Sequence, residues 1–367
     1  MSDLRPIALF IPALNGGGAQ KVVVNLSNAL VDLTNKPIHV VLVRREGVFL
    51  KELRPEVTVV DLGSNRVSRS VFALARYMRR SRPSVIVSSL NYANIACLIA
   101  GILARHPSRI IIREDNVVRQ PSGSVIQQIR RHLFIQLMRW LYPRADAVVA
   151  ISEAVRETML DARIRIEHNS TVIGNPITIA QENQKSLSPE SVGVPKGTRF
   201  ICAIGRLTEQ KGFDILLSAF AKLREPCLHL VILGEGELRD ALSSLAKDLG
   251  VEQRVHMPGF VNSPMAILRE AEAFVLSSRW EGFGNVLVEA LASGVPIIST
   301  DCAGAPRWIL ENGRHGCLVS PDDSSALAEA IEKSLHSPVG TKAGRIRRAN
   351  DFSAERITKE YLTTVLN

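Results

Sequence analysis

The sequence predicts an α/β protein built from two facing doubly wound, Rossmann-like domains with an interdomain cleft. Its 367 residues are enough for two domains of ordinary size. In each half, short runs rich in Val and Ile alternate with longer stretches of helical period, which is typical of parallel βαβ units with helices on both sheet faces. A polar, Pro-, Gly- and Ser-rich segment without either period separates the halves near residues 176–198.

The first half, residues 1–176, contains six strand candidates with amphipathic stretches between them. The strand candidates are Ile7–Ile11, Ile38–Val43, Val57–Val60, Val85–Ser88, Arg109–Ile112 and Ala147–Ile151. The helix candidates are Ala19–Val31, Val71–Arg80, Ile95–Ala104 and Val125–Leu141. Because apolar strands alternate with helices, these elements predict a parallel sheet.

The second half, residues 177–351, repeats the same rhythm. Its strand candidates are Phe200–Ile204, Leu228–Leu233, Phe274–Ser277 and Pro296–Ser299. Helices are expected to begin at Phe213, Glu237 and Asn285, and a further one to span Ala326–Leu335. The carboxyl ends of two such sheets are where α/β folds bind ligands.

The composition is that of a globular chain, with 46% hydrophobic and 22% charged residues. It excludes a disordered tail, a collagen-like chain and a disulfide scaffold. Five scattered Cys residues without a C-x-x-C pair predict reduced thiols. The N-terminus lacks a secretory pattern, and the longest apolar run, Ile95–Ala104, is far shorter than the roughly 20 residues of a membrane-spanning helix. We therefore expect a cytoplasmic protein.

The positive charge of the chain is concentrated in its first half. Residues 1–176 carry 24 Lys and Arg against 13 Asp and Glu, whereas the remainder carries 21 against 23. This asymmetry predicts an anionic partner, which can be nucleic acid, a phospholipid surface or a phosphorylated substrate. Few aromatic residues accompany the arginines and no nucleic-acid motif occurs, so nucleic acid is the least favoured of the three.

Two basic amphipathic stretches lie in this half, and they can rest on an anionic membrane. The longer, Val125–Tyr142, carries Arg130, Arg131 and Arg139, and the shorter is Val71–Arg80. The alternative is that each helix simply packs on its sheet with its arginines in water. The overall charge favours peripheral attachment to the inner face of the plasma membrane.

A glycine loop, Asn15-Gly-Gly-Gly-Ala-Gln-Lys21, follows the first strand and opens a helix. Glycines such as Gly17 and Gly18 allow close backbone approach to a ligand, and the helix start offers free N–H groups to an anion. The loop matches neither G-x-G-x-x-G nor a P-loop. A tight turn without a ligand role is the alternative.

A loop with two cations follows the strand Phe200–Ile204. It reads Gly205-Arg-Leu-Thr-Glu-Gln-Lys-Gly212, so Arg206 and Lys211 lie five residues apart at the edge where the strand ends. Arg can bind phosphate bidentately and Lys acts as a mobile point charge, a combination that suits a diphosphate. Taken singly, both can also be solvated loop charges.

Two carboxylates lie on the segment Ser277–Pro296. Glu281 is in a glycine-containing loop after a strand, and Glu289 is one turn into an apolar helix, where a carboxylate is costly unless it meets donors. Hydroxyls of a sugar or ribose are such donors, although a buried ion pair is the alternative for Glu289. Gly234 and Gly236, which can be simple turns, add a third glycine-rich loop at the same sheet edge. Together these loops predict a site for phosphate and hydroxyl groups.

These motifs resemble those of a known family. The Gly205–Gly212 segment and the segment Glu281-Gly-Phe-Gly-(x)4-Glu289 resemble the nucleotide-sugar site of retaining glycosyltransferases of family four. The loop Asn15–Lys21 and Gly174-Asn-Pro-Ile177 resemble that family's N-terminal loop and entry into the second domain. The resemblance covers nearly the whole chain, and its glycine-containing E-x7-E segment is specific.

The resemblance implies a glycosyltransferase-B fold, with acceptor binding by residues 1–176 and donor binding by residues 177–351. It implies that residues 352–366 form a helix that packs back on the first domain. It implies that Arg206 and Lys211 neutralise the donor diphosphate. Glu281 would contact the transferred sugar, and Glu289 the ribose. The backbone N–H groups of Phe283, Gly284 and Asn285 would lie near the sugar or phosphate. Gly17, Gly18, Gly205 and Gly234 complete the donor-binding set.

One departure concerns the first domain. Many relatives carry a His where this chain reads Arg113-Glu-Asp-Asn116. Glu114 or Asp115 is then expected to take the polar role near the acceptor hydroxyl, with Glu114 as the catalytic candidate. Local pairing with a neighbouring Arg is the alternative.

The expected reaction is metal-independent transfer, with retention, of a hexose or N-acetylhexosamine from a nucleotide sugar, UDP being favoured, to a lipid-linked acceptor in polysaccharide or O-antigen assembly. No cofactor is expected, because the chain contains no D-x-D and no H-E-x-x-H. The alternatives are an epimerase or phosphorylase of the same fold, and, less favoured, an Arg-rich nucleic-acid-binding protein. A glycosidase is disfavoured because it needs no diphosphate cradle.

Overall fold

Two separate parallel sheets organise the chain, and each belongs to its own unit. The computed structural model describes residues 4–105, 108–118, 125–179, 188–261 and 264–366. One unit runs to Thr178 and resumes at Ser353, and the other comprises Ile179–Phe352. The predicted α/β class with two Rossmann-like units is confirmed. The polar junction is only partly visible, because residues 180–187 lie outside the described ranges.

The first unit has a seven-stranded parallel sheet. Its elements in chain order are β1 (Ile7–Ile11), α1 (Gly18–Leu33), β2 (Ile38–Leu42), β3 (Thr58–Asp61), α2 (Val67–Ser81), β4 (Val85–Ser89), α3 (Asn91–Ala104), β5 (Arg109–Glu114), α4 (Val125–Leu141), β6 (Ala147–Ala150), α5 (Glu153–Asp161) and β7 (Ser170–Val172). The strand order is β3-β2-β1-β4-β5-β6-β7. The short, half-buried β7 and the helix α5 were not predicted, because neither contains a Val- or Ile-rich run or a long apolar period.

The second unit has a six-stranded parallel sheet of order β10-β9-β8-β11-β12-β13. Its elements are β8 (Phe200–Ile204), α6 (Phe213–Phe220), β9 (His229–Leu233), α7 (Arg239–Asp248), β10 (Val255–Gly259), α8 (Met265–Glu270), β11 (Ala273–Leu276), α9 (Asn285–Ser293), β12 (Ile297–Thr300), α10 (Pro306–Ile309), β13 (Cys317–Val319), α11 (Ser324–His336) and α12 (Lys342–Asn350). The four predicted strands are confirmed. The two strands at the edges, β10 and β13, were missed.

The central strands are covered on both faces, which explains their continuous apolar runs. All five residues of β1 and of β4 are buried, and so are the four of β11 and of β12. Fully burying one Val, Leu or Ile side chain stabilises a fold by about 1.5–3 kcal/mol. The sheets are therefore the stable frame on which the loops at the strand ends are held.

The strand orders create one topological switch point in each sheet. In the first sheet β1 lies between β2 and β4, and in the second sheet β8 lies between β9 and β11. The chain leaves the two strands at such a point towards opposite faces of the sheet, so their carboxyl-terminal loops diverge and leave a crevice. Both predicted cations lie in the loop after β8, whereas Glu281 lies in the loop after β11 and Glu289 on helix α9, which follows that loop.

The end of the chain belongs to the first unit. Helix α13 (Ala354–Tyr361) packs against α1, and the N–H of Ala354 donates to the carbonyl of Ile177 at 2.9 Å. Asn25, buried within α1, donates to the carbonyl of Pro176 and accepts from the hydroxyl of Thr178, both at 2.9 Å. The buried amide of Asn25 thus links α1 to the segment Pro176–Thr178, at which the first part of this unit ends.

Candidate functional site

Four loops of the second unit meet at the carboxyl ends of its strands, and glycines allow their backbones to touch. A Cβ atom on Gly234 would overlap the carbonyl oxygen of Gly205, and one on Gly212 would overlap that of Ser277. Gly304 is similarly close to the carbonyl of Glu281 and has a φ of +136°, a conformation that favours glycine. These glycines are therefore required for packing one loop on another.

An ion pair lies at the centre of these loops. Lys211 Nζ donates to Glu281 Oε1 at 2.5 Å, and the hydroxyl of Ser278 donates to the same oxygen at 2.6 Å. Glu281 is only 5% exposed, and its N–H donates to the carbonyl of Ala303. The two predicted residues Lys211 and Glu281, which are 70 positions apart in sequence, are thus brought into direct contact.

Hydrogen bonds hold the loop after β11 to the loop after β8. The hydroxyl of Ser277 donates to the carbonyl of Lys211 at 2.8 Å, and Gln210 Nε2 donates to that of Trp280 at 2.9 Å. Arg279, in the loop after β11, also forms a bidentate pair with Asp214 in the first turn of α6, at 2.9 and 2.7 Å. This pairing holds the pKa of Asp214 below its usual value although partial burial acts in the opposite direction. These contacts hold the backbone segments that carry Lys211 and Glu281, and so they fix the geometry of the Lys211–Glu281 ion pair.

Arg206, on the same loop as Lys211, has a different environment. Its side chain is exposed, and in the part of the chain that the structure describes it has no ion-pair or hydrogen-bond partner. Its position at the carboxyl end of β8, beside the switch point, is that of a cation available to an anionic ligand. The two predicted cations are therefore not equivalent, since one is paired and the other is open.

Helix α9 presents the second carboxylate. The helix begins at Asn285 after Gly284, which adopts a left-handed conformation, and Glu289 is half-buried one turn further on. Phe283 is 2% exposed, and its ring makes edge contacts with Trp308 and Phe352 at centroid distances of 5.8 and 5.5 Å. The side chain of Phe283 thus anchors the loop, and only its backbone remains for the donor-binding role that the sequence predicts.

Sequence reasoning missed three residues at this edge. Ser278 is fully buried on Glu281, and Cys302 is close enough that the negative charge of Glu281 adds to burial in raising the pKa of its thiol to about 12. Phe260 follows the missed strand β10 and is 63% exposed. The sequence pattern did not indicate Phe260, because strand β10 before it reads Val-His-Met-Pro-Gly and lacks an apolar run. Serines in a turn-rich segment carry no signal by themselves.

In the first unit, the glycine loop after β1 is exposed. Gly17 is extended and immediately precedes α1, which begins at Gly18. The N–H of Leu14 donates to the carbonyl of Glu46 at 2.9 Å, and the Asn15 side chain donates to the Glu46 carboxylate at 3.2 Å. Lys21 forms an ion pair with Glu52. The loop is therefore attached to its neighbour after β2 while Gly17 and Gly18 remain at the surface.

The residues at the end of β5 form a buried polar cluster. Arg113 is fully buried and pairs with Asp115 at 2.5 Å, and it also donates to the side chain of Asn175. Glu114 is 1% exposed and accepts a hydrogen bond from the Tyr142 hydroxyl at 2.7 Å. Asp115 thus forms the local pair with a neighbouring Arg, and the Glu114 side chain is buried at the end of β5.

Burial controls the protonation of this cluster. It raises the pKa of Glu114 to about 8, with a smaller contribution of the same sign from the charge of Asp115, and the hydrogen bond from Tyr142 acts in the opposite direction. Burial also raises the pKa of Asp115, although Arg113 opposes it. Leu90, whose N–H donates to Asp115 at 3.1 Å, has a φ of +79°, which is strained for a branched residue.

Helix α4 exposes an apolar stripe. Ile126, Ile129, Leu133 and Trp140 are between 54 and 69% exposed, and their spacing places them on one face of the helix. The Arg144 guanidinium lies 4.5 Å from the centre of the Trp140 ring. Among the described residues, no helix is long and apolar enough to cross a bilayer. In the same residues, no three His, Cys, Asp or Glu side chains form a group that could hold a metal ion.

The sequence matches two family models in succession. The model described as "Glycosyltransferase Family 4" matches residues 16–181, and the one described as "Glycosyl transferases group 1" matches residues 184–351. These two ranges correspond to the two structural units.

Curated relatives agree with this match, and a solved structure has the same fold. A Campylobacter jejuni protein named N-acetylgalactosamine-N,N'-diacetylbacillosaminyl-diphospho-undecaprenol 4-alpha-N-acetylgalactosaminyltransferase is 28% identical over 99% of this chain and 100% of the relative. A Rhizobium meliloti lipopolysaccharide core biosynthesis glycosyltransferase is 32% identical over 60% of this chain and 64% of the relative. An Anabaena protein solved with UDP and glucose superposes with a TM-score of 0.82 at 21% identity, covering 98% of this chain and 99% of the other.

Proposed function

This chain belongs to the family-four glycosyltransferases of the glycosyltransferase-B fold, and we propose that it transfers a hexose or N-acetylhexosamine from a UDP-sugar to a sugar hydroxyl of a lipid-linked acceptor. The observation that carries the proposal is the arrangement at the switch point of the second sheet. Arg206 and Lys211 follow β8, and Glu281 and Glu289 follow β11. The cations suit a diphosphate and the carboxylates suit hydroxyl groups, which together describe a nucleotide sugar.

The diphosphate is the leaving group, so its negative charge grows as the bond to the sugar breaks. Arg206 can form two parallel hydrogen bonds to phosphate oxygens, and the Lys211 ammonium has three donors, of which one is engaged by Glu281. Donors that are already in place stabilise developing charge without a reorganisation cost. We assign Arg206 and Lys211 this role, with no metal ion required.

The carboxylates recognise hydroxyl groups. Glu281 has one oxygen in contact with Lys211 and Ser278, and its other oxygen can accept from the transferred sugar. Glu289 is assigned to the ribose hydroxyls. The backbone N–H groups of Phe283, Gly284 and Asn285 are assigned to the sugar or phosphate, because α9 begins at Asn285 and a helix start favours an anion.

We propose that transfer proceeds with retention. The bond between the anomeric carbon and the diphosphate oxygen breaks, the acceptor oxygen bonds to the same face of that carbon, and the released diphosphate oxygen takes the acceptor proton. This chemistry is balanced without a cofactor. Turnover that is unchanged by EDTA is the expected result, and its abolition, restored by added divalent metal, would contradict metal independence.

The identities of donor and acceptor are drawn from relatives. The Anabaena structure contains UDP, and the Campylobacter enzyme is named for an acceptor linked to diphospho-undecaprenol. We propose a donor and a lipid-linked acceptor of these same classes for this chain, in bacterial polysaccharide or O-antigen assembly.

A lipid-linked acceptor requires access to a membrane surface, and we assign this contact to helix α4. Its exposed stripe of Ile126, Ile129, Leu133 and Trp140 can enter the interface between headgroups and acyl chains, and Arg130, exposed on the same helix, can contact anionic headgroups. The chain would then work peripherally on the inner face of the plasma membrane.

The proposal is tested by thermal unfolding with a panel of nucleotides and nucleotide sugars. A ligand that binds only the folded chain raises the unfolding temperature in proportion to the logarithm of its concentration over Kd. We expect UDP and one UDP-sugar to give the largest shifts, and Arg206→Ala and Glu289→Ala to reduce them. Equal, negligible shifts for every nucleotide would refute the proposal.

A further inference from the structure

We propose that Ser278 is a positioning residue, whose hydroxyl orients the Glu281 carboxylate so that one oxygen remains available to the donor sugar. The inference rests on the proposed function, because it assumes that Glu281 meets a sugar. It concerns a residue that touches neither sugar nor diphosphate and acts only through Glu281.

The two oxygens of the Glu281 carboxylate have different surroundings. Oε1 accepts from Lys211 at 2.5 Å and from Ser278 at 2.6 Å. Among the residues that the structure describes, none donates a hydrogen bond to Oε2. A carboxylate oxygen has two lone pairs, so both lone pairs of Oε1 are used by the protein and those of Oε2 are left for a ligand.

Ser278 is itself fixed. It is fully buried, and its carbonyl accepts from the hydroxyl of Thr300 at 2.6 Å, at the end of β12. The preceding Ser277 is also buried, but its hydroxyl donates to the carbonyl of Lys211 at 2.8 Å. Two adjacent serines thus hold the two members of the ion pair: Ser277 binds the backbone of Lys211, and Ser278 binds the side chain of Glu281.

Lys211 alone cannot fix the carboxylate during the reaction. Its ammonium is a point charge on a flexible four-carbon stem, and a bound diphosphate competes for the same protons. The Ser278 side chain is short, its hydroxyl is excluded from solvent, and it carries no charge that a phosphate would attract. It therefore continues to hold Oε1 when the donor engages Lys211.

The test compares binding of UDP with binding of UDP-glucose, UDP-N-acetylglucosamine and UDP-N-acetylgalactosamine by calorimetry. A net hydrogen bond to a charged group is worth about tenfold in affinity or more. For Ser278→Ala we expect the best UDP-sugar to bind about tenfold more weakly and UDP to bind within twofold of wild type. Ser278→Thr, which keeps the hydroxyl, should recover most of the loss.

Three further variants separate positioning from packing. Ser293→Ala removes another buried hydroxyl, one bonded to the carbonyl of Ala290 at the far end of α9, and should change neither affinity. Glu281→Ala should lose at least as much affinity for the UDP-sugar as Ser278→Ala. The double variant should bind the UDP-sugar no more weakly than Glu281→Ala, since both residues act through one carboxylate.

The outcomes distinguish the inference from the function on which it rests. A wild-type protein that binds neither UDP nor any UDP-sugar overturns the proposed function. If the wild type binds and Ser278→Ala binds the UDP-sugar equally well, only the positioning role is overturned. It is also overturned if Ser278→Ala weakens UDP and UDP-sugar alike, because that result marks a structural role.

Discussion

Arg206 and Lys211 lie on one loop and are both assigned to the diphosphate, yet only the replacement of Lys211 should lower the stability of the fold. The Arg206 side chain is exposed and without a partner among the described residues, so Arg206→Ala should change the free energy of unfolding by less than about 0.5 kcal/mol. If Arg206 binds the diphosphate, the same variant should lose roughly 1.4–2.8 kcal/mol of UDP binding, a 10–100-fold rise in Kd.

Lys211→Met leaves a nearly buried carboxylate without its cation. The Glu281 side chain is only 6% exposed, and removing one member of a buried pair typically costs about 3–5 kcal/mol. The hydroxyl of Ser278 remains, so we expect the lower end, about 3 kcal/mol, and a fall in unfolding temperature of about 2–4 °C per kcal/mol. Adding Glu281→Gln to Lys211→Met removes the unpaired charge and should recover most of this loss.

The assay is thermal unfolding without ligand, followed by calorimetry with UDP on the same samples. The recovered stability of the double variant should not restore UDP affinity, because the ammonium is still missing. Arg206→Ala with wild-type UDP affinity would refute the diphosphate role. A fall in stability equal for both single variants would refute the distinction between a paired and an open cation.

Three further predictions concern other parts of the molecule. Because burial raises the pKa of Glu114 to about 8, the native side chain stays protonated at pH values where the unfolded one is ionised, so its contribution to stability is full below about pH 4.5 and is lost as the pH rises towards 8. Glu114→Gln should therefore flatten the decline in unfolding temperature between pH 5 and 8, and an unchanged slope would contradict this. Phe283→Ala should cost about 3–5 kcal/mol, measured by denaturant unfolding, because it opens the aromatic cluster beneath the loop, and a cost under 1 kcal/mol would show that the cluster does not support it. Replacing Ile126, Ile129 and Leu133 by Ser should reduce sedimentation with anionic liposomes while leaving the affinity for UDP unchanged, and undiminished sedimentation would exclude α4 as the contact.

The central strands and the loops that follow them were predictable because both depend on local composition. A strand covered on both faces must be a continuous apolar run, and β8, β9, β11 and β12 were recognised in this way. Edge strands are only partly buried, so β10 accepts His and Pro and carries no such pattern. Chain order does not give strand order, and the adjacency of β8 and β11 is known only from the structure.

The pairing of side chains in the site was not predictable. The sequence indicates that Lys211 and Glu281 are near one sheet edge, but not that they share a hydrogen bond or that Arg206 remains open. It predicts a polar role for Glu114 near the acceptor hydroxyl, but not that the side chain is buried and accepts a hydrogen bond from Tyr142. Contacts between loops depend on register and strand order, and a single sequence contains neither.

Not every arginine of the first unit contributes to a surface that could meet a membrane. Arg113 is fully buried and paired, and Arg139 donates to the carbonyl of Ala162 at 2.7 Å, so charge counted along the sequence overstates what is available for headgroups. The apolar stripe of α4 is a separate and local observation. At 1 M salt, charges further apart than about 3 Å are screened, whereas burial of apolar side chains persists. Attachment that is weakened but not abolished at 1 M salt would therefore follow from the stripe, and complete release would show that charge alone holds the protein to the membrane.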